Sequence, residues 1–344
     1  MEIEEIKLTQ YSHGAGCGCK ISPAVLNRIL DTENKNQDPR LLVGNDERDD
    51  AAVLDLGNGT ALISTTDFFM PIADSPYDFG RIAAANAISD VYAMGGTPVL
   101  ALAILGWPID KLEPEVAKEM IEGARSICAE ANIKIAGGHS IDSPEPIFGL
   151  SVNGTVEIKN LKRNSTATAG CKLYLTKPLG IGALSTAQKK GLLKKEDQSV
   201  ILKSMTTLNK TGAELGKIKE IKAMTDVTGF GLLGHLSEMC EGSIVSAEIE
   251  FNKVPVINSL NDYLDQKCIP GGTNRNWASY GHKISEITER QKQILCDPQT
   301  SGGLLTAVDS DFCDEFEKFM IENGFNIKSF GVLTERKEDL IRVI

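Results

Sequence analysis

The feature that most limits how this chain can fold is a glycine-rich stretch near its N-terminus, His13-Gly14-Ala15-Gly16-Cys17-Gly18-Cys19-Lys20. Three glycines within five residues predict neither a stable helix nor a stable strand, because glycine loses the most backbone entropy on ordering. The stretch also carries two thiols, an imidazole and an ammonium, so we interpret residues 1–20 as a flexible arm that closes over a site. Cys17 lies between two glycines, and we expect an accessible thiol whose thiolate is favoured by Lys20. The alternative is an N-terminal tail that happens to contain cysteine.

Length and charge set the broad class of protein. The chain has 344 residues, enough for about two domains. Its formal net charge of −11 argues against nucleic acid or an anionic membrane as a partner. Residues 1–7 are acidic rather than apolar, and no apolar run is long enough to span a bilayer, so we expect neither a secretory signal nor a membrane anchor. The eight cysteines form no disulfide framework, which favours a reducing, cytoplasmic location.

Alternating helix and strand patterns predict two α/β domains, residues 21–158 and 159–344, joined by the polar stretch 159–170. In the first domain, Gly57-Asn58-Gly59 between two apolar runs predicts a hairpin whose second strand, 60–65, ends by delivering Asp67. Residues 78–94 predict an alanine-rich helix closed by Gly95-Gly96. The second domain contains predicted helices at 198–216 and 283–295 and predicted strands at 304–308 and 328–333.

Aspartates are placed beside predicted turns and at the ends of elements. Asp90 is the exception, since it lies inside the alanine-rich helix and shares one face with Asn86 four residues earlier. Carboxylates without a histidine or cysteine cluster are typical of hard cations such as Mg²⁺, which bridges to phosphates. A single aspartate of this kind is more often a cap or a turn residue. The set comprises Asp49, Asp50, Asp67, Asp90 and Asp226.

Three further motifs are weaker. The segment 229–234 matches GxGxxG, but a dinucleotide site requires a strand immediately before it, and residues 221–224 make a poor one. These glycines more readily let Asp226 and a helix N-terminus approach an anion. Lys20 does not complete a phosphate-binding P-loop, and Cys17-x-Cys19 has no second cysteine pair at zinc spacing. His139, which follows two glycines, is either a packed loop residue or a phosphate contact.

Taken together, the glycine-rich arm and the aspartates resemble the signature of the selenophosphate synthetase family, also called selenide, water dikinase. The cysteine-containing bacterial members are the most similar. The resemblance covers nearly the whole chain, and the sequence departs from the family pattern at none of the functional positions. It is carried by His13–Lys20, Asn45–Asp50, Thr65–Phe68, Asn86–Gly96, Ala136–Asp142, Met224–Gly234, Pro270–Asn276 and Cys296–Gly303.

The resemblance implies a two-domain fold of the aminoimidazole ribonucleotide synthetase type, with N-terminal domains that pair into a β-barrel in a homodimer and bind ATP at its edge. The implied reaction converts ATP, selenide and water to selenophosphate, AMP and orthophosphate. Cys17 and Lys20 are implied as catalytic residues. The implied Mg²⁺ ligands are Asp50, Asp90 and Asp226. The implied ATP contacts are Lys20, Glu47, Arg48, Asp49, Asp67, Asp90, Gly138, His139 and Ser140.

Two alternatives and one mechanistic question stay open on the sequence. A purine-pathway ligase of the same superfamily would share the aspartates but should lack the Cys17-Gly18-Cys19-Lys20 stretch. A non-catalytic ATP-binding paralogue should have lost Cys17 or Lys20, and this chain has both. For Cys17 itself, binding or delivery of selenium and transfer of a proton are both compatible with the residue type.

Overall fold

The computed structural model describes residues 6–21, 23–30, 38–44 and 48–344, which form two domains, each built on a six-stranded sheet. The N-terminal sheet has the strand order β1-β2-β3-β6-β4-β5 and is antiparallel except for the parallel pair β4 and β5. Its strands are β1 (Leu41–Val43), β2 (Ala52–Asp55), β3 (Thr60–Phe69), β4 (Thr97–Trp107), β5 (Ile135–Asp142) and β6 (Ile147–Glu157).

The C-terminal sheet has the order β12-β9-β11-β7-β10-β8, in which only β12 and β9 are parallel. Among the described strands, β8 pairs only with the antiparallel β10, and three strands separate it in the sheet from β9, the next strand along the chain. The glycines at 229–234 therefore do not lie between two adjacent parallel strands, and a dinucleotide site of that kind has no support. The strands are β7 (Lys172–Leu175), β8 (Ile221–Asp226), β9 (Val245–Ile249), β10 (Leu304–Val308), β11 (Gly331–Glu335) and β12 (Ile341–Val343).

The helices surround these sheets, and none of those in the described ranges is long and apolar enough to cross a bilayer. In the N-terminal half they are α1 (Pro23–Leu30), α2 (Pro76–Ala93) and α3 (Pro114–Glu130). In the C-terminal half they are α4 (Ile181–Lys189), α5 (Lys195–Thr206), α6 (Thr211–Gly216), α7 (Gly231–Gly242), α8 (Leu260–Asp265), α9 (Gly271–Tyr280), α10 (Glu289–Leu295) and α11 (Cys313–Glu322).

Several sequence predictions need correction. The helix expected over 198–216 is two helices, α5 and α6, because the backbone at Thr207 is extended and interrupts the helix. Of the stretch 283–295, only 289–295 is α-helical. The segment 221–224, a poor strand by sequence, begins the buried strand β8, whose apolar residues face packed neighbours on both sides. Strand β3 runs on to Phe69, so Asp67 lies inside it rather than at its end.

Helix α2 is the centre of the molecule. Ser75 accepts a hydrogen bond from the Asp78 amide, and Pro76 is at the first position of the helix, which together define its N-terminus. Nearly all of its residues are buried, so it lacks the single apolar stripe of a surface helix. One side packs against α3 and the N-terminal sheet, and the other against α5, α6 and β8 of the C-terminal domain. Its polar residues therefore face the junction of the two domains.

The N-terminal arm, residues 6–20, is docked against both domains. Its amides at Leu8 and Gly16 donate to the carbonyls of Asp74 and Met70 in the N-terminal domain. From the C-terminal domain, Lys189 Nζ donates to the carbonyl of Ser12 at 3.1 Å. The glycine-rich stretch closes into a single 3₁₀ turn over 16–19. That this arm moves, as its glycines predict, stays a prediction.

A close approach at Gly229 allows this docking. A Cβ atom at Gly229 would lie 2.7 Å from the Cys17 carbonyl oxygen, closer than real Cβ atoms approach. We therefore expect Gly229→Ala to displace the arm and to speed cleavage by trypsin after Lys20. A matched control is Gly18→Ala, whose Cβ would meet only Pro298 Cγ at 3.7 Å, an ordinary contact. Equal digestion rates in Gly229→Ala and the parent protein would contradict this docking geometry.

Candidate active site

Cys17 is buried at the junction of the arm and the two domains. Its side chain is 1% exposed, and its sulfur donates to Asn86 Oδ1 on α2 at 3.3 Å. Its amide donates to Thr300 Oγ1 of the C-terminal domain at 3.0 Å. Burial raises the pKa of the Cys17 thiol well above its usual value, and this effect outweighs the opposing influence of the Lys20 ammonium. The expectation of an accessible, activated thiolate is therefore wrong for this conformation.

Lys20 pairs with a carboxylate rather than with the thiol. Its Nζ lies 3.3 Å from Asp67 Oδ1 on β3. The other oxygen, Asp67 Oδ2, accepts a hydrogen bond from Asn86 Nδ2 at 2.5 Å. The Asn86 amide thus joins the Cys17 thiol to the ion pair. Burial lowers the pKa of the Lys20 ammonium, but the surrounding carboxylates, Asp67 first among them, raise it by more, so Lys20 is a firmly charged cation.

Three further aspartates surround this pair, each supported by a neighbouring hydroxyl group. Thr225 Oγ1 donates to Asp50 Oδ1 at 2.7 Å. On α2, Asp90 accepts from the Thr65 hydroxyl. On β8, Asp226 accepts from the Ser89 hydroxyl. The acidic cluster formed by Asp50, Asp67, Asp90 and Asp226 therefore gathers residues that are distant in the sequence.

Asp90 and Asp226 are buried, Asp50 and Asp67 are partly buried, and the carboxylates repel one another. Burial raises the pKa of Asp226 to about 6, against the hydrogen bond from Ser89 and the charge of Lys20. Burial and the charge of Asp67 raise the pKa of Asp90 well above its usual value, and burial and the charge of Asp226 do the same for Asp50. Lys20 and the nearby Lys177 do not together neutralise four carboxylates, so the site attracts additional positive charge.

The donor set fits a hard divalent cation that is also bound by phosphate. Asp50 Oδ2 is buried and has no hydrogen-bond partner among the described residues. Within those same residues, no three acidic, cysteine or histidine side chains are close enough together to hold a metal ion by themselves. Mg²⁺ in phosphate-binding sites takes one or two carboxylates and completes its shell with water and phosphate oxygens. The separated carboxylates of this cluster match that pattern.

The neighbouring residues of the predicted set differ in their roles. Glu47 lies outside the described residues. Arg48 is exposed and has a left-handed backbone, with φ of 51°. The Asp49 carboxylate accepts hydrogen bonds from the amides of Asn164 and Asp50, at 3.1 and 3.0 Å, and so ties the turn before β2 to the start of the C-terminal half. These contacts give Asp49 a structural function in the isolated chain.

The predicted contacts Gly138, His139 and Ser140 lie apart from the acidic cluster. They belong to β5, an exposed edge strand, and not to the loop suggested by the glycines. Strands β6 and β4 separate β5 from β3, which carries Asp67, a span of about 14 Å at ordinary strand spacing. Within one chain, the structure does not bring these three residues to Cys17 or Lys20.

Sequence reasoning missed the residues that support the charged groups. Ser89 and Asn209 are an example: Asn209 Nδ2 donates to Ser89 Oγ at 2.8 Å, and Ser89 in turn donates to Asp226. In the sequence, Asn86 stands out only as a polar residue on an apolar helix. Thr65 and Thr225 precede functional aspartates in threonine-rich stretches, and that adjacency was the available signal. Asn209 had no comparable signal nearby, and Thr300 was marked only by its place in the stretch Cys296–Gly303 that carries the resemblance.

Comparison with family models and with solved structures identifies the type of fold. The N-terminal domain of AIR synthase related proteins matches residues 48–156, and the C-terminal domain matches residues 168–344. A thiamine-monophosphate kinase from Stenotrophomonas maltophilia superimposes with a TM-score of 0.66 at 18% identity, covering 89% of this chain and 92% of that one. Hydrogenase maturation protein HypE in complex with ATP gives 0.59 at 19% identity, covering 87% and 82%. These confirm the expected two-domain fold.

Curated relatives are far more similar in sequence. A selenide, water dikinase from Photorhabdus laumondii is 59% identical over 98% of both chains. The protein of that name from Pseudomonas putida is 59% identical over 99% of both chains. The one from Escherichia coli O157:H7 is 59% identical over 97% of this chain and 96% of its own length. The chain therefore belongs to the selenide, water dikinase family, a family of phosphotransferase enzymes.

Proposed function

We propose that this protein makes selenophosphate from selenide, ATP and water, releasing AMP and orthophosphate. The observation that carries the proposal is the docking of Lys20 directly onto Asp67 of the acidic cluster and of Cys17 onto the same carboxylate through the amide of Asn86. A cysteine and a polyphosphate-binding charge cluster are thereby held in one buried site. A purine-pathway ligase would not need the cysteine, and a non-catalytic paralogue would not need to retain both arm residues.

The acidic cluster serves the polyphosphate of ATP. Asp50, Asp90 and Asp226 would hold Mg²⁺, which when bound neutralises the charge of the phosphates. Phosphoryl transfer depends mainly on charge neutralisation and positioning, so these residues need not react covalently. Lys20 adds a fixed positive charge beside Asp67. Glu47, Arg48 and Asp49 would complete the ATP contacts at the turn before β2.

Cys17 acts on selenium in this reaction, either by binding it or by transferring a proton. In the docked arm it is a neutral thiol that donates to Asn86, so it can bind selenium or give up a proton only when that hydrogen bond is exchanged. The same docking encloses the site, so that water competes less with selenide for the transferred phosphoryl group, although one water molecule is consumed in the overall reaction. A reducing cytoplasm suits both an oxidisable selenium species and the free thiols of this chain.

A homodimer would bring the distant ATP contacts into a site. The outer face of the N-terminal sheet exposes apolar side chains, and β5 leaves one edge unpaired among the described strands. Exposed edges and apolar patches of this kind favour association. The exposed apolar residues on or beside that face are Phe68, Val99, Leu102 and Ile141. We place Gly138, His139 and Ser140 of one subunit at the ATP site of the other.

Product analysis tests the reaction. With ATP, Mg²⁺ and selenide under anaerobic, reducing conditions, phosphorus NMR should show selenophosphate, AMP and orthophosphate. Cys17→Ser should still bind Mg·ATP but form no selenophosphate, because a serine hydroxyl is a far weaker nucleophile at neutral pH. Cys19→Ser is the control and should retain substantial activity. ADP as the final nucleotide, without a selenophosphate signal, would refute the proposed reaction.

The metal assignment has its own test. Asp226→Asn keeps an oxygen that can accept from Ser89 but removes the charge, so we expect turnover to fall by roughly 100-fold. Calorimetry should also show weaker Mg²⁺-dependent binding of a non-hydrolysable ATP analogue. The control is Asp262→Asn, the same change at an exposed residue paired with Lys194. Asp226 is not part of the site if both variants match the parent protein.

Assembly can be measured directly. Light scattering should give twice the 37.1 kDa of one chain, and a two-fold symmetric dimer is the simplest closed arrangement. Leu102→Asp should yield monomers with little activity, because it places a charge in the apolar face. Leu192→Asp changes an exposed leucine of the C-terminal half and should leave the dimer intact. A fully active monomeric parent would contradict the shared site.

A further inference from the structure

The loop between α10 and β10, residues 296–303, contacts the arm where Cys17 lies. From this loop, Thr300 Oγ1 accepts the amide hydrogen of Cys17 at 3.0 Å. Thr300 is 2% exposed, so water cannot replace its hydroxyl without a rearrangement. A buried amide that loses its acceptor carries a full desolvation cost. The hydrogen bond of the Cys17 amide therefore depends on one hydroxyl group of the C-terminal domain.

The same hydroxyl can also hold the sulfur. A threonine hydroxyl has one hydrogen to donate and can accept two. Because Thr300 Oγ1 accepts the amide of Cys17, its own hydrogen is left for the sulfur, where its hydrogen bond opposes the effect of burial on the pKa of the thiol. Asn86 Oδ1 accepts from the neutral thiol on the other side. Together, Asn86 and Thr300 determine where the sulfur lies.

The loop is anchored well enough to impose this geometry. The Ser301 amide donates to Asn86 Oδ1 at 2.7 Å, and the Ser301 carbonyl accepts from the buried Lys177 ammonium at 2.8 Å. Gln299 Oε1 accepts from the amides at 180 and 181, where α4 begins. Thr300 is thus held between two residues that are fixed to the rest of the C-terminal domain.

A glycine of the arm makes the approach possible. A Cβ atom at Gly16 would lie 2.5 Å from Thr300 Oγ1, and the backbone there has φ of +51°. The lack of room for a Cβ atom and the left-handed backbone conformation both require glycine at this position. The glycine before the cysteine therefore leaves the space in which Thr300 contacts Cys17.

We propose that Thr300 is a positioning residue for Cys17, through which the C-terminal domain fixes the cysteine in the active site. The proposal rests on the function proposed above, in which Cys17 serves the selenium side. Thr300 acts through the amide and sulfur of Cys17 and has no role in binding ATP. Loss of its hydroxyl should impair turnover and loosen the arm without weakening the binding of Mg·ATP.

The test compares Thr300→Val, which removes the hydroxyl at nearly constant shape, with Thr300→Ser, which keeps it. In the full-length enzyme, Thr300→Val should lower kcat roughly tenfold and speed alkylation of Cys17 by iodoacetamide by a similar factor. The KM for Mg·ATP should stay within about twofold of the parent value, as expected when an interaction that does not bind substrate is removed. Mass spectrometry of the tryptic peptide 8–20 separates Cys17 from Cys19, and Thr300→Ser should restore both rates.

The matched control is Thr306→Val on β10, a buried threonine whose hydroxyl has no partner among the described residues. It should match the parent in both rates, and thermal unfolding of all variants verifies the fold. Parent-like kcat or parent-like alkylation in Thr300→Val overturns the proposal, as does failure of Thr300→Ser to restore them. If Cys17→Ser makes selenophosphate normally, the role of Cys17 fails, while the alkylation rates still decide whether Thr300 holds that residue.

Discussion

The rest of this site depends on the burial of more negative than positive charge at the junction of two domains. Four carboxylates surround the Lys20 ammonium, with Lys177 as a second basic group near Asp226, and burial and mutual repulsion raise the pKa of Asp50, Asp90 and Asp226. Such an arrangement is costly in the isolated chain, because charged groups lose their hydration. A bound cation would relieve it. The excess of buried carboxylates therefore favours the binding of positive charge at this junction.

Helix α2 makes that arrangement possible because both of its sides are buried. A surface helix would direct its polar residues to water, whereas here Asn86, Ser89 and Asp90 face other protein groups. Asn86 faces the arm and the C-terminal loop, and Ser89 faces β8. Small residues at the contacts of α2 let neighbouring elements approach closely. At the contact with α6, for example, a Cβ atom at Gly212 would lie 2.3 Å from the Tyr92 carbonyl oxygen of α2. Close packing and a polar site are thus achieved by the same helix.

The state of Cys17 follows from competition between solvation and charge. Lys20 is close enough to favour a thiolate, but desolvation is the larger effect, and Lys20 is engaged by Asp67. A neutral thiol that donates to an amide is protected from adventitious oxidation and alkylation, since the thiolate is the reactive form. Activation would then have to come from substrates or from movement of the arm, rather than from the resting geometry.

Much of the fold could be predicted from local sequence. The predicted helix 78–94 is α2, which starts two residues earlier, at Pro76, and ends before Gly95 as expected, and the residues flanking Gly57-Asn58-Gly59 form the strands of a hairpin, because caps and turns depend on neighbours in the chain. Predictions of single strands and helices failed where tertiary contacts override local preference. Strand β8 forms because it is buried between other elements, although its sequence alone made a poor strand.

The sequence by itself determined which chemical groups this protein possesses: the arm with its cysteine and lysine, the aspartates beside turns, and the glycines that let backbones approach. Only the tertiary structure decided which groups meet. Cys17 and Thr300 are 283 residues apart, and neither Lys20 with Asp67 nor Ser89 with Asp226 could be paired from spacing. The physical reason is that burial and hydrogen-bond partners arise from long-range packing, and these, more than residue type, set the charge state of each group.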